Sequence, residues 1–290
     1  MNSFIFVFQG TGRNGKGVLR DLMAYALGGI SETSSPTASY FHSIQASMLT
    51  HERPASSAPC PDLLNIRGKR FLVASEPEKG AGINTGFLKM LTGNDIISGR
   101  YCHGNAELHF SPQHSIALQC NDIPQMDSED DALWTRGRII EYPFKFTESP
   151  CEEHHRKIDE TLKQRVSGWG PQFMVLLLEY YKKYRTSGLK PTIAVLKMSG
   201  KVRDDNDPFI QFVEVNLEKT GSDNDRIKLS EILTKAGNSY EIKNMKATTQ
   251  KQRLRKAMQK LGFGQSEVMK IPKNGGVSVT GWQKVKWQSQ

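Results

Sequence analysis

A glycine-rich octet near the start of the chain constrains it more than any other feature. Phe4-Ile5-Phe6-Val7-Phe8-Gln9 is a short apolar, β-prone run, and it breaks directly into Gly10-Thr11-Gly12-Arg13-Asn14-Gly15-Lys16-Gly17. Val18, Leu19, Leu22, Met23, Tyr25 and Ala26 follow at the spacing of an amphipathic helix. Strand, glycine loop and helix, with four residues between Gly10 and Gly15-Lys16, make the P-loop pattern. Its chemistry requires these residue types. At Gly10, Gly12 and Gly15 a Cβ would block backbone N–H groups from closing around phosphate oxygens, and Asn14 lies within the same cradle. The helix start aims its positive dipole end at the anion, and Lys16 brings a mobile cation to the γ-phosphate. Gly17 stands where a Ser or Thr would ordinarily ligate Mg²⁺. ATP or another NTP, with Mg²⁺, is the expected ligand.

A second acidic motif reinforces the first. Phe71-Leu72-Val73-Ala74-Ser75 reads as a buried strand, and Glu76-Pro77-Glu78 follows it at once. In an open parallel sheet the C-terminal strand ends gather at the ligand edge, which would bring Glu76 and Glu78 to the phosphates. One carboxylate would hold Mg²⁺, directly or through water, and another would polarise the attacking water; Glu76 is the metal candidate. Ser115 to Leu118 predicts a third strand, ending in the polar run Gln119-Cys120-Asn121-Asp122. A polar amide there can sense the γ-phosphate. Asp127 to Asp131 is an acidic loop placed to cap the helix holding Trp134, and Arg136 and Arg138 lead from it into strand Ile139 to Tyr142. An arginine at that position suits charge stabilisation in the transition state, often across a subunit boundary; a structural ion pair with the acidic loop fits equally.

Between these motifs, Asn84 to Thr92 is helix-like. Ile96 to Phe110 reads as two short strands about a Gly-Asn turn, with Arg100 and His103 near the tip as candidate contacts to a phosphate backbone. Ser31 to Pro61 is rich in Ser, Thr and Pro and reads as loop with one short element over Tyr40 to Leu49.

The ordered set of Gly-Thr-Gly-Arg-Asn-Gly-Lys, Arg-Gly-Lys-Arg-Phe-Leu-Val-Ala-Ser-Glu-Pro-Glu, Leu-Lys-Met-Leu-Thr-Gly-Asn-Asp, Gln-Cys-Asn-Asp-Ile-Pro and Trp-Thr-Arg-Gly-Arg resembles the superfamily 3 helicase domain. The likeness is to the primase–helicases of poxviruses, other large DNA viruses and some phages, over roughly residues 4–147. It implies an α/β fold with a P-loop, AAA+ type parallel-sheet core. It also implies that Lys16 binds phosphates, that Glu76 belongs to Walker B and that Asn121 is the sensor. An arginine after Trp134 would be the finger. Lys89 matches a lysine in the motif preceding the DNA-contacting hairpin. The active form would be an ATP-driven homo-hexameric ring threading single-stranded DNA, working with other replication proteins. It would act at a viral replication site in the host cytoplasm or nucleus, or in the bacterial cytoplasm for a phage. A helical collar and a primase domain would lie upstream, and a strand so close to residue 1 agrees with a preceding segment.

Composition sets the remaining bounds. At 290 residues the chain can hold two domains or slightly more, and 37% hydrophobic with 24% charged residues fits a globular protein. The longest apolar run, Phe173 to Leu178, falls far short of a membrane span, so no membrane partner is expected. Cys60, Cys102, Cys120 and Cys151 form no CxxC pair and read as reduced intracellular thiols. Cys151, His154 and His155 have no matching second cluster, so a charged, exposed helix over Glu152 to Arg165 is expected there, without a metal. Trp169 to Tyr184 reads as a densely apolar, buried helix.

Charge is uneven. Residues 226–290 carry 14 Lys and Arg against three Glu, a segment charge of +11 in a chain of +9, which points to a polyanionic partner. Asp204 to Pro208 is a helix start. Leu229 to Ala236 and Thr248 to Leu261 read as two more helices, and strands on either side of Asn274-Gly275-Gly276 read as a hairpin. Three helices and a hairpin spell a winged helix. Its third helix, with Lys251, Arg253, Arg255, Lys256 and Lys260, would face DNA, duplex DNA included; a protein-docking winged helix is the alternative. The expected domains are 1–150 (ATPase core), 151–206 (helical bridge) and 207–290 (basic winged helix). Competing functions are a nucleotide-switched DNA-binding or assembly module and a P-loop phosphotransferase.

Overall fold

The structure is a computed structural model and describes residues 4–28, 39–52, 58–93, 95–104, 106–270 and 278–288. It divides into two compact units, residues 1–202 and 203–290.

The first unit runs β1 (Ile5–Gln9), α1 (Lys16–Ala26), β2 (Phe41–Gln45), α2 (Ser47–Thr50), α3 (Pro61–Asn65), β3 (Phe71–Ser75), α4 (Thr85–Thr92), β4 (Ile97–Gly99), β5 (Leu108–Phe110), β6 (Ser115–Cys120), α5 (Asp131–Arg136) and β7 (Gly137–Glu141). It continues through β8 (Lys145–Thr147), β9 (His155–Lys157), α6 (Leu162–Val166) and α7 (Gly170–Ser187), and most of α8 (Ile193–Asp205) belongs to it. Five strands form one parallel sheet in the order β2-β3-β6-β1-β7. Strands of such a sheet are covered on both faces, so their apolar runs are continuous rather than alternating. The packing follows from the two-residue side-chain period. Ile5, Val7, Leu72, Ala74, Ile116 and Leu118 point into one core, and Phe8, Val73 and Ala117 point into another with Ala24 of α1. β6 lies between β1 and β3, so the ends of those three strands meet at one edge.

The second unit holds α9 (Pro208–Asn216), β10 (Leu217–Lys219), β11 (Arg226–Lys228), α10 (Leu229–Ala236), α11 (Tyr240–Lys243), α12 (Ala247–Lys260), β12 (Glu267–Lys270), β13 (Ser278–Gln283) and β14 (Val285–Trp287). β11, β13 and β12 form an antiparallel sheet in that order, and β10 pairs with β14. Phe209, Ile232, Leu254, Met258 and Trp282 are fully buried between helices and sheet. Asp207 opens α9, its Oδ1 accepting from the N–H of Phe209 at 2.8 Å. The strands either side of the predicted hairpin turn do pair; the turn itself, Asn274-Gly275-Gly276, lies outside the described residues.

Three expectations fail. Glu152 to Arg165 is not one helix: it contains β9, parallel to β8, and only the short α6. The region after Pro150 folds onto the first unit rather than forming a separate bridge, with Gly170 packed so closely on Tyr25 that an added Cβ would sit 3.0 Å from the Tyr25 carbonyl oxygen. The helix predicted over Trp169 to Tyr184 exists as α7, yet it is not buried. Val175, Leu176, Leu178, Tyr180, Tyr181 and Tyr184 are all exposed. Their spacing spreads them around the helix instead of along one stripe, and Gly170 at its start is the residue of α7 that is buried.

Candidate functional site

The site begins where β1 stops. Gly10 passes so close to its surroundings that a Cβ would collide with Asn14 Nδ2 and lie 2.7 Å from the Tyr142 carbonyl oxygen. Only glycine fits. Arg13 and Gly15 both take left-handed backbone (φ 58° and 89°), which turns the chain back so that Gly15 becomes the residue from which α1 starts. Phe146, on β8, donates its N–H to the Arg13 carbonyl at 2.8 Å and braces the loop from outside. The first turn of α1 has no side-chain cap, so its N–H groups open into the loop. Asn14 is 7% exposed; its Oδ1 accepts from the Lys16 N–H at 3.4 Å, while its buried Nδ2 has no partner among the described residues. An orphaned donor beside an uncapped helix start, in a cradle that excludes Cβ atoms, fits a phosphate group.

A lysine that reaches for a γ-phosphate would be expected to stand free in solvent. Lys16 is instead 6% exposed, with its ammonium bonded to the Gly10 carbonyl and 3.5 Å from Asn121 Oδ1. Burial lowers its pKa, opposed by the nearby Cys120 and Glu76. The loop folds around its own cation because the carbonyl end of β1 is the nearest acceptor.

β3 and β6 deliver the other groups. Ser75 pairs with Gln119, and Gly10 donates its N–H to the Cys120 carbonyl at 3.2 Å, so the three strand ends are fastened together. Gln119 belongs to this cluster, and motif reading missed it. It is 5% exposed, donates from Nε2 to the Lys16 carbonyl at 2.8 Å, and accepts from Ser75 Oγ at 3.3 Å. The signal was a polar amide ending the apolar run Ile116-Ala117-Leu118. Burial pushes the neighbouring Cys120 thiol up to about 12, keeping it neutral.

Glu76 and Glu78 are both exposed at this edge. Glu76 has left-handed backbone, φ 51°, and its N–H donates to the Gln119 carbonyl at 2.9 Å. For a residue with a Cβ that conformation costs about 1–2 kcal/mol. It turns the chain sharply out of β3 at the first carboxylate. At Gly17 nothing lies within 4 Å of an added Cβ, so the missing hydroxyl reflects no lack of room.

The two arginines lie elsewhere. Arg138 pairs with Phe6 at the start of β7, the end of the sheet away from the glycine loop. Its guanidinium donates to the carbonyls of Trp134, Thr135 and Gly137 and stacks 5.6 Å from the Phe4 ring centroid. Arg136 donates to the Lys89 carbonyl and Thr92 Oγ1 at 3.3 and 3.2 Å. Neither touches the loop of its own chain. Lys89 is ion-paired with Asp130 at 2.8 Å. Burial alone would raise the Asp130 pKa, but the Lys89 bond and the Leu133 N–H outweigh it and hold the carboxyl below its usual range. That pair joins α4 to the cap of α5, so Lys89 is engaged within the fold rather than projecting as a free cation.

β4 and β5 pair antiparallel, and Tyr101, Cys102 and His103 are exposed at the tip, His103 with φ 61°. Arg100, half-buried, follows β4 directly at the start of the connecting loop; Asn105 lies outside the described residues. In the second unit Lys251, Arg255 and Lys256 are exposed on one side of α12. Arg253 is not with them. It is 7% exposed, paired with Asp207 at 3.4 Å and set over the Phe209 ring. Its position beside Leu254 and Ala257 places it on the buried face, where Asp207 meets it, and Lys260 pairs with Asp204. The predicted basic face is therefore three cations, not five.

"Putative helicase L207/L206" of Acanthamoeba polyphaga mimivirus is 31% identical over 218 residues, 72% of this chain and 22% of that protein. The chain is a homologue of the superfamily 3 helicases of large DNA viruses. "Putative helicase 022R" of Frog virus 3 is 26% identical over 231 residues, covering 74% of the chain and 22% of that relative. The chain thus spans 22% of the length of each of these two helicase homologues. The solved C-terminal region of NrS-1 aligns with 97% of the chain and 66% of its own length, at 15% identity and a TM-score of 0.46. No family model matches. No described helix of this helicase homologue is long and apolar enough to cross a membrane.

Proposed function

We propose that the chain is the motor portion of an ATP-driven DNA helicase, an AAA+ type ATPase with a basic winged helix behind it. The observation that carries this reading is the convergence of Lys16, Asn121 and the Gly10–Gly17 loop at one sheet edge, with the Glu76 and Glu78 carboxylates beside them. The glycine loop and the first turn of α1 would bind the triphosphate. Lys16 would leave the Gly10 carbonyl for the γ-phosphate, and Asn121, its other neighbour, would register that departure. Glu76 would hold Mg²⁺, directly or through water, and Glu78 or Glu76 would orient the attacking water. Bound Mg²⁺ supplies charge neutralisation on the phosphates.

Arg136 and Arg138 point away from their own loop, so a finger role requires a neighbouring subunit, as in a homo-hexameric ring. In such a ring single-stranded DNA would pass the β4–β5 tip, with His103 and Arg100 near it. The order helix, two strands, two helices, long helix and paired strands in the second unit supports a winged helix, with Lys251, Arg255 and Lys256 toward DNA. The decisive experiment is ATP turnover of the chain with and without single-stranded DNA, followed by strand separation on a forked duplex. DNA-stimulated turnover with unwinding is expected. Turnover indifferent to DNA would favour a phosphotransferase. Nucleotide-dependent DNA binding without turnover would favour the switched binding module, which the missing hydroxyl at Gly17 makes the second reading. Arg136→Ala and Arg138→Ala, each mixed with Lys16→Ala subunits, test the finger: a trans role predicts partial recovery of activity in the mixture.

A further inference from the structure

We propose that Cys151 and Glu152, in the connection between β8 and β9, and His155, the first residue of β9, form a zinc-binding site. Their candidate ligand atoms all lie within 4.8 Å of one another. The spacing is informative. Zinc bonds of about 2.3 Å to sulfur and about 2.05 Å to nitrogen, at a tetrahedral angle, separate the two ligand atoms by about 3.5 Å. Cys151 Sγ and His155 Nδ1 are 3.5 Å apart. The Glu152 carboxylate offers the third ligand atom within the same 4.8 Å, and its Oε2 also lies 3.5 Å from the other ring nitrogen of His155, Nε2. His154 Nε2 lies 3.0 Å from the same oxygen and holds that carboxylate from outside. A fourth position is left for water or for His154.

The backbone sets this cluster before any ion arrives. The His155 N–H donates to the Glu152 carbonyl at 2.9 Å, the Lys145 N–H to the His154 carbonyl at 3.0 Å, and β8 pairs with β9 from Lys145↔His155 onward. The His155 side chain is 10% exposed and so has little freedom to leave, whereas Cys151 and Glu152 are open to an entering ion. Thiolate, imidazole and carboxylate together select a borderline metal such as Zn²⁺. Mg²⁺ and Ca²⁺ take oxygen ligands. The site is therefore chemically separate from the Mg²⁺ proposed at Glu76. Its consequence is local: β8 also carries Phe146, which braces the Arg13 carbonyl of the glycine loop, so an ion here would lock the turn behind that brace.

The test uses the full chain, stripped with chelator and titrated with Zn²⁺ and with Co²⁺ as a spectroscopic stand-in. One equivalent per chain is expected, with a thiolate-to-Co²⁺ charge-transfer band and with Zn²⁺ shielding Cys151, but not the exposed Cys102, from alkylation. Cys151→Ser and His155→Ala should abolish the band. Glu152→Gln removes an anionic ligand and should weaken binding by at least the roughly 10–100-fold that losing an outer-shell partner costs. Cys102→Ser should change nothing. Folded protein that shows no charge-transfer band, or a Cys151 that alkylates equally fast with and without Zn²⁺, would overturn the proposal. Equal Zn²⁺ binding by wild type and Cys151→Ser would overturn it as well.

Discussion

The Lys16 ammonium lies 3.5 Å from the side-chain carbonyl of Asn121, joining the first residue of α1 to the residue that follows β6, 105 positions away. With the Gly10 carbonyl as its other acceptor, the lysine is held by two acceptors of the site itself. Lys16→Ala should therefore leave the fold intact and reduce ATP turnover by about 10²-fold or more. Asn121→Ala should also lower turnover while nucleotide binding, followed by a fluorescent ATP analogue, stays near wild type. Near-normal hydrolysis in folded Lys16→Ala protein would remove the motor assignment.

Gly17→Ser tests the metal side. An added Cβ meets nothing within 4 Å, and Gly is poorer than Ser within a helix by about 0.5 kcal/mol. The variant should be equal or slightly higher in Tm and should reach half-maximal turnover at lower Mg²⁺. An unchanged Mg²⁺ requirement would mean that position 17 does not face the ion.

Gln119→Ala removes two bonds from a buried amide and frees the Lys16 carbonyl. A loss of roughly 1–3 kcal/mol in denaturant unfolding is expected, with a further loss of nucleotide affinity. Gln119→Glu, similar in shape but unable to donate, should show the affinity loss as well. A stable, fully active Gln119→Ala would reduce this residue to packing.

His114 gives the first unit a pH limit. The side chain is 1% exposed, and burial pushes its imidazole down to about 4, with a Leu91 backbone bond opposing. Between that value and the ordinary 6.5 the unfolded chain binds the extra proton, so stability falls as pH falls. The full effect is roughly 3 kcal/mol, present above about pH 6.5 and gone below about 4. His114→Phe should flatten the unfolding free energy across this window; an unaltered slope would locate the acid sensitivity elsewhere.

In the second unit, Arg253 and its exposed neighbours should separate cleanly. Arg253→Ala leaves Asp207 without its buried partner and should cost about 3 kcal/mol of stability. Replacing Lys251, Arg255 and Lys256 with Ala should leave Tm nearly unchanged and weaken DNA binding. The salt slope of log K should fall by about 0.9 for each phosphate that is no longer neutralised. Equal slopes for the triple variant and wild type would turn the α12 face from DNA toward a protein partner.

Local chemistry along the chain determined the glycine loop, the three strands whose ends form the site, the β4–β5 hairpin and the α10 and α12 helices. Each rests on interactions within a few residues: a Cβ that cannot fit, an apolar run bounded by turns, a caps-and-periodicity pattern. What depends on partners distant in the chain was decided only by tertiary packing. Arg253 reads as one more surface cation until Asp207, 46 positions earlier, meets it over Phe209. Lys89 likewise awaits Asp130, and Gln119 acquires its role only when β6 settles between β1 and β3. The apolar density of α7 suggests burial, yet periodicity shows which positions share a face and not whether anything covers that face. The turn at Cys151 to His155 was hidden for the same reason. At i, i+1 and i+4 these side chains would be neighbours on a helix as well, so spacing alone does not tell helix from turn; the pairing of β9 with β8 decides it.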